Sequence, residues 1–478
     1  MKAVVLVLYV VGMLALGYLA SRRTKNLGDF FLAGRNLGPW ISAFAYGTTY
    51  FSAVLFIGYA GRIGWGFGLS SLWIVLGNTI LGSFLAWVVL ARRTRSMTEA
   101  LHAMTMPEFL EARYGGSFLR ILAALVIFIF LVPYSASVYM GLSYLFDAVL
   151  GIPYRYALVF MAFLTGVYLL MGGYLAVNLT DAVQGMIMLL GSLFLVGYLL
   201  ARPEVGGIGG ALTRLANINP RLTGVIGPPG FWPLFGLVVL TSLGPWGLPQ
   251  MVQKFYAIRS EKVVKTATII VTLFAFVCTF GAYFSGSLTH LFFEAPPLSP
   301  QGKPDPDLLM PHLIATVMPS SFALIFLLLV FSASMSTLSS LVLVSSSAIV
   351  IDLIPARSRL RSLLSMRVLC GFFVALSLIL ALYRVSFIVN LMSISWGAVA
   401  GSFIAPYLWG LYWKRGNRWG ALASMLTGLG ISLFGSFAFG FQSSVLPLVG
   451  SFAMIVPLGV FPLVSILTGG ERYASMRL

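Results

Sequence analysis

Gly244-Pro245-Trp246-Gly247-Leu248-Pro249 lies inside an apolar run that extends from about residue 231 to 256. Its prolines remove backbone N–H donors and its glycines permit unwinding, so a helix passing through this stretch has to open. An earlier run contains Gly47-Thr48-Thr49-Tyr50-Phe51-Ser52-Ala53, small and polar where a lipid-facing helix is hydrocarbon. Carbonyls freed at bilayer depth are tolerated only where they line a cavity. Paired interruptions in corresponding halves of a chain mark a binding site at mid-membrane. Two ordinary proline or glycine kinks are the alternative.

The whole chain is built for that setting. It has 478 residues, 59% hydrophobic, 14% aromatic and only 9% charged, against about 25% charged in soluble proteins. Apolar runs of about 20 residues recur throughout, each long enough to cross the hydrocarbon as a helix. This excludes a soluble enzyme, a nucleic-acid-binding module and a secreted disulfide scaffold, and identifies an all-α polytopic membrane protein. Cys278 and Cys370 both fall in apolar runs, where two free thiols are expected rather than a bridge.

The pattern predicts about 13 spans, at roughly 3–20, 38–61, 69–91, 118–146, 154–171, 175–201, 231–256, 264–290, 320–352, 368–384, 387–413, 420–441 and 445–468. The net charge of +17 is distributed unevenly. Of the 30 basic residues, 22 fall on one side of this topology, among them Arg22, Arg23, Lys25, Arg92, Arg93, Lys254, Arg359, Lys414, Arg472 and Arg477. By the positive-inside rule that side is cytoplasmic, which puts the N-terminus outside and the C-terminus inside. The first run lacks a basic n-region and reads as a retained helix. No soluble domain is expected after the last span. Long outer stretches are expected at about 203–229 and 294–311, beyond the usual loop length.

Among the 13 acidic residues, Asp181 alone falls clearly within a span. An ionisable group there costs about 2.5–3.5 kcal/mol on insertion scales and marks an ion or proton path; a carboxylate reaching interfacial water is the alternative. In the ninth span, Ala333, Ser336, Thr337 and Ser340 share one helical face. Hydroxyls and freed carbonyls are hard oxygen donors suited to a hard cation, although serine stripes also hold helices together. With a broken second span and a buried acid, the stripe reads as a sodium site.

Four segments resemble the sodium:solute symporter family: Asp29-Phe-Phe-Leu-Ala-Gly-Arg-Asn-Leu-Gly38, Met106-Pro-Glu-Phe-Leu-Glu-Ala-Arg-Tyr-Gly115, Gly172-Gly-Tyr-Leu-Ala-Val-Asn-Leu-Thr-Asp-Ala-Val-Gln184 and Met335-Ser-Thr-Leu-Ser339. The resemblance implies an inverted five-helix repeat of the leucine-transporter type. Residues 1–37 would form an extra N-terminal helix and inner loop, 38–201 the first repeat and 202–230 an outer loop. The second repeat would be 231–413, and 414–478 two accessory helices with a short cytoplasmic tail. The resemblance also implies a main sodium site of Thr48, Phe51 and Ala333 carbonyls with Ser336 and Thr337 hydroxyls. A second sodium would be held by Asp181, Ser336, Ser339 and Ser340, so one or two ions are expected; a gate or relay on the inner sodium exit is a rival role for Asp181.

The solute is expected between the broken helices, near Thr49, Tyr50, Ser52, Trp246 and Gln250, with Tyr134 and Trp396 on neighbouring helices. Gly247-Leu-Pro-Gln250 resembles the proline and pantothenate branch more than the sugar branch, yet proline transporters of the family have an aspartate where this chain has Tyr50. No buried cation for a substrate carboxylate is obvious. The expected function is sodium-coupled import of an amino acid such as proline, or of a small carboxylate, by a monomer in the lipid bilayer of the cell membrane, with no nucleic acid involved. Sialic acid, pantothenate or sugar, proton coupling, and a solute sensor that binds without pumping are the alternatives. A membrane-embedded enzyme is disfavoured, because no catalytic pair converges around the one buried acid.

Overall fold

The computed structural model describes residues 2–21, 35–299, 302–355 and 357–469. Most of the Asp29–Gly38 segment, Arg22, Arg23, Lys25, Arg472 and Arg477 lie outside the described residues, as do the side chains of 168–176, where the Gly172–Gln184 segment begins. Among the described residues, pairing of the β type is confined to two isolated bridges; helices form the rest of the frame.

In chain order these are α1 (Lys2–Ser21), α2 (Pro39–Tyr50), α3 (Val54–Ala100), α4 (Met106–Tyr114), α5 (Ser117–Leu150), α6 (Tyr154–Ala201) and α7 (Gly207–Ile218). There follow α8 (Phe231–Gly247), α9 (Pro249–Tyr256), α10 (Glu261–Ser287), α11 (Leu309–Val317), α12 (Ser320–Val350), α13 (Leu363–Leu382), α14 (Ile388–Tyr412), α15 (Arg418–Ala438) and α16 (Leu446–Leu467). Among the described residues nine helices are long and apolar enough to span a membrane, or ten if the bent pair α8–α9 is one span; Val4–Leu19 and Tyr154–Val167 are shorter apolar helices.

These two stretches are the described parts of α1 and of the first half of α6, and the remaining difference from about 13 lies in α3, where two expected segments run together. At 1.5 Å per residue the 47 residues of α3 and the 48 of α6 would each reach about 70 Å, more than twice the hydrocarbon thickness. Each continuous helical run therefore contains more chain than one crossing uses, and each takes in two of the expected apolar segments or parts of them. In α3 the winding tightens over Gly68–Ser71, where Gly68 has φ +58, a region that glycine alone enters freely.

Centrality follows composition. The apolar window of α14, rich in Gly, Ala and Ser, is 94% buried and that of α12 is 78% buried, whereas those of α13 and α15 are 28% and 33% buried. The polar faces of α12 and α14 thus meet protein, and the peripheral helices present Leu, Ile and Phe outward. Cys278 and Cys370 are both free and buried.

At one end of the bundle the two broken helices are joined through their flanks. The Leu37 N–H donates to the Ala257 carbonyl at 3.1 Å and the Arg259 N–H donates to the Leu37 carbonyl at 3.0 Å, which ties the start of α2 to the end of α9. Near the other end, the proline-rich segment before α11 carries Asp307, buried beside Arg62 with Nε 3.7 Å away. Its Oδ2 accepts the first N–H of α14, from Ile388, at 3.0 Å, and the Arg62 guanidinium stacks 3.7 Å from the Phe387 ring centroid. Asp307 thereby ties α3 to α14.

Burial pushes the Asp307 carboxyl up to about 6; Arg62 opposes this, Asp305 adds to it, and the Ile388 N–H opposes it. A carboxyl with a raised native pKa binds its proton more tightly when folded. Its contribution is therefore full below about pH 4 and is lost as pH rises to about 6, a swing of about 3 kcal/mol from the standard conversion of 1.36 kcal/mol per unit. Asp307→Asn removes that dependence. We expect the stability of the wild type, measured relative to Asp307→Asn, to fall between pH 4 and pH 6.5 in a thermal-melt series; a constant difference would contradict the assignment.

Candidate functional site

The opening in the first broken helix is narrow. α2 ends at Tyr50, Phe51 is extended at φ −109 and ψ 113, and winding resumes at Val54 with the wide π pitch. The Phe51 N–H still reaches the Gly47 carbonyl at 3.0 Å, and the Ser52 hydroxyl receives the Val54 N–H at 3.1 Å. The carbonyls of Thr48 and Thr49 both turn to α12, where the Thr337 hydroxyl lies 3.1 Å from the first and 3.3 Å from the second.

The adjoining hydroxyls extend this contact. Ser336 donates to Thr48 Oγ1 at 2.8 Å, and Thr48 Oγ1 passes its own proton to the Phe44 carbonyl at 2.8 Å. Thr49 Oγ1 and Ser340 Oγ are 3.1 Å apart. Thr48, Thr49, Ser336, Thr337 and Ser340 thus meet along one α2–α12 seam. Phe51 ends the same helix and Ala333 stands one turn from Ser336 and Thr337, both buried. These are the oxygen donors a sodium ion requires, with no nitrogen or sulfur among them. The expected main-site residues are thus brought into one neighbourhood.

The residues expected for a second ion are arranged differently. Asp181, on α6, is fully buried, and its Oδ2 is 3.2 Å from the Nζ of Lys254, itself 1% exposed on α9. The same ammonium lies 3.5 Å from Asn178 Oδ1. The positive-inside pattern reads Lys254 as a cytoplasmic loop residue, and that reading is corrected. α9 runs to Tyr256, the end of the expected seventh span, and places Lys254 inward against α6. Of the neighbouring hydroxyls, Ser339 donates to its own helix at Met335, Ser340 faces Thr49, and Ser336 lies between Thr48 and Asp181.

The second break is at one residue. α8 closes at Gly247 with Pro245 inside it, Leu248 is extended at φ −77 and ψ 121, and Pro249 opens α9, where its missing N–H costs nothing. The two pieces bend by 44°. Gly244 permits a close approach here, since a Cβ would overlap the Trp396 ring of α14.

Beside the first break, and against Thr241 of α8, lies a cavity lined by Tyr50, Ser52, Tyr59, Tyr134, Thr241 and Trp396, with Phe51, Asn78, Tyr283 and Met392 around them. Tyr50 donates to the Thr241 carbonyl at 2.6 Å and stacks on Trp396 with centroids 6.2 Å apart; Tyr134 meets Trp396 edge-on at 5.7 Å. The Tyr59 hydroxyl and Trp396 Nε1 have no partner of normal hydrogen-bond geometry among the described residues.

Of the residues expected at the solute, Tyr50, Ser52, Tyr134 and Trp396 line this cavity. Thr49 turns to Ser340, and Trp246 donates to the Leu81 carbonyl at 2.9 Å. Gln250 is buried outside the lining, with Oε1 lacking a partner of normal geometry among the described residues. Tyr59, Asn78, Thr241, Tyr283 and Met392 escaped the sequence reading because they are spread over four helices and form no local pattern. Lys254 did leave a trace: a lone acid within a span calls for a cation, and the seventh span reaches position 256.

A sequence model of the sodium:solute symporter family matches residues 30–428. The chain is similar to the osmoregulated proline transporter OpuE of Bacillus subtilis, 30% identical over 98% of this chain and 96% of that one. It is 32% identical to the high-affinity proline transporter PutP of the same organism, over 97% of each. It is 31% identical to the sodium/proline symporter of Escherichia coli, over 88% of this chain and 84% of that one. Among solved structures it resembles a Na⁺-coupled sialic acid symporter in a substrate-bound outward-open state, with a TM-score of 0.79 at 19% identity over 99% of both chains. It also resembles Mhp1, a nucleobase-cation-symport-1 family transporter, with a TM-score of 0.55 at 14% identity over 95% of this chain and 98% of that one. Both likenesses place the fold among transporters of the leucine-transporter type.

Thr337→Ala removes the only hydroxyl shared by the Thr48 and Thr49 carbonyls in the described contacts. We expect the sodium concentration for half-maximal stabilisation to rise by about tenfold, the equivalent of one hydrogen bond of about 1.4 kcal/mol, while Thr337→Ser restores it. An unchanged sodium titration of Thr337→Ala would contradict the role given to this hydroxyl.

Proposed function

The chain belongs to the sodium:solute symporter family, a multi-pass membrane transporter rather than an enzyme, and from that premise we propose that it imports a small amino acid, proline first among candidates. The observation that carries the coupling is the Thr337 hydroxyl on the Thr48 and Thr49 carbonyls, a junction of hard oxygen donors between α2 and α12. Sodium at this junction, held by Thr48, Phe51, Ala333, Ser336 and Thr337, would fasten the broken helix to α12. Its loss to the cytoplasm would let them part. Inward movement of each net charge supplies about 2.3 kcal/mol per 100 mV, before the sodium gradient is added.

Proline is favoured by the names of the most similar relatives and by the cavity. The enclosure is aromatic, and the Tyr59 hydroxyl, beside Ser393, and Trp396 Nε1, beside Tyr134, are donors at its wall. Tyr50, which departs from the aspartate of the family's proline transporters, donates to the Thr241 carbonyl and forms a neutral wall there. Around this centre we place two inverted repeats, 38–201 and 231–413, within about 13 crossings, the N-terminus outside, the C-terminus cytoplasmic, and one chain in the bilayer as the working unit. Moving Lys254 from the loops to the interior leaves 21 of the 30 basic residues on the side we take as cytoplasmic, a bias that supports this orientation.

The test is uptake of labelled proline by proteoliposomes with an inward sodium gradient, repeated with choline in place of sodium from pH 5.5 to 8. Accumulation that requires sodium is expected. Uptake driven in choline by a proton gradient would transfer the coupling to protons, and binding without accumulation would favour a sensor. In the same assay Gly244→Ala, which displaces Trp396, is expected to raise the KM for proline about tenfold with little change in the sodium requirement. An equal loss of both would place Trp396 outside the solute site.

A further inference from the structure

We propose that the Lys254 ammonium is the resident cation of the Asp181 site, so that this chain binds one sodium ion, at the α2–α12 junction, where the family resemblance allows two. The inference rests on the sodium-coupled reading above and concerns the number of ions. A second sodium needs a carboxylate to balance it and oxygens free to turn toward it. Here the one carboxylate already holds a cation, with Nζ 3.2 Å from Oδ2 and both side chains out of contact with solvent. The hydroxyls of the set are drawn to different neighbours: Ser339 donates to the Met335 carbonyl, Ser340 faces Thr49, and Ser336 lies between Thr48 and Asp181.

A sodium added beside this pair would leave one negative charge facing two positive ones, with a further ion at the seam that shares Ser336. Like charges so close in a buried site repel. The lysine also has a location no free ion could keep. It is carried by α9, the half-helix beyond the Leu248 break, whereas Asp181 is on α6. The pair therefore bridges the two halves of the chain, and any swing of α9 changes the charge balance of Asp181 without an ion entering or leaving.

Sodium-22 binding to the purified full-length chain at saturation, with and without proline, decides the count. We expect one ion per chain in the wild type and in Lys254→Arg, which keeps the cation. Lys254→Met frees Asp181 and should bind two, and the double variant Asp181→Asn/Lys254→Met should return to one. Two ions in the wild type, or one in a folded Lys254→Met, would overturn the proposal. If Lys254→Met fails to fold, Lys254→Gln takes its place, and the wild-type count still discriminates one from two. No bound sodium in the wild type would instead overturn the sodium-coupled reading on which this inference rests.

Discussion

Everything at the centre of this protein depends on two carbonyl oxygens, those of Thr48 and Thr49, which the opening of a helix releases in a region where water cannot compensate them. A buried carbonyl without a partner costs about 1–3 kcal/mol, so the opening persists only because α12 brings a hydroxyl to both. The need for Thr337 fixes the register of α12 against α2. That register aligns Ser336 and Ser340 with the side chains of Thr48 and Thr49. A helix with so many hydroxyls can be central only if other helices enclose it, and the burial of α12 and α14 meets that condition.

The Asp181–Lys254 pair satisfies a second constraint of the same kind. One isolated carboxylate costs about 2.5–3.5 kcal/mol at the middle of a membrane helix. Two opposite charges 4 Å apart attract by about 4 kcal/mol at an effective dielectric of 20. Attraction thus offsets the insertion of one partner and leaves the other to hydrogen bonds such as that to Asn178. Such a pair adds little net stability, and breaking it exposes an uncompensated charge. Its value lies in linking α6 to α9, so that the position of the second broken helix and the charge state of Asp181 vary together.

Much of this was legible in the sequence because it rests on local chemistry. Gly244 to Pro249 announces an opening wherever it is folded, and Gly47 to Ala53 announces another; the structure narrows these to Leu248 and to Phe51–Ala53. The hydroxyl face of α12 follows from helical spacing alone. Less legible were features made by tertiary approach. Lys254 reads as a loop cation until its approach to Asp181 across two helices is seen, and the cavity wall of Tyr59, Thr241, Tyr283 and Met392 is assembled from four separate helices. The crossing pattern was blurred for another reason: α3 and α6 carry helical winding through positions where the apolar pattern predicts loops.

The central claim is that sodium completes the α2–α12 junction and prepares the cavity for its solute. The most direct measurement is a thermal-melt titration of the purified chain with proline, other amino acids, short carboxylates, pantothenate, sialic acid and sugars, in sodium and in potassium. A ligand that binds only the folded form at 100 times its Kd raises stability by about 2.7 kcal/mol. The account predicts a melting temperature raised by sodium alone and raised further by proline in sodium, with no proline effect in potassium. A melting temperature indifferent to sodium across a wide concentration range, or an equal proline shift in both salts, would contradict it.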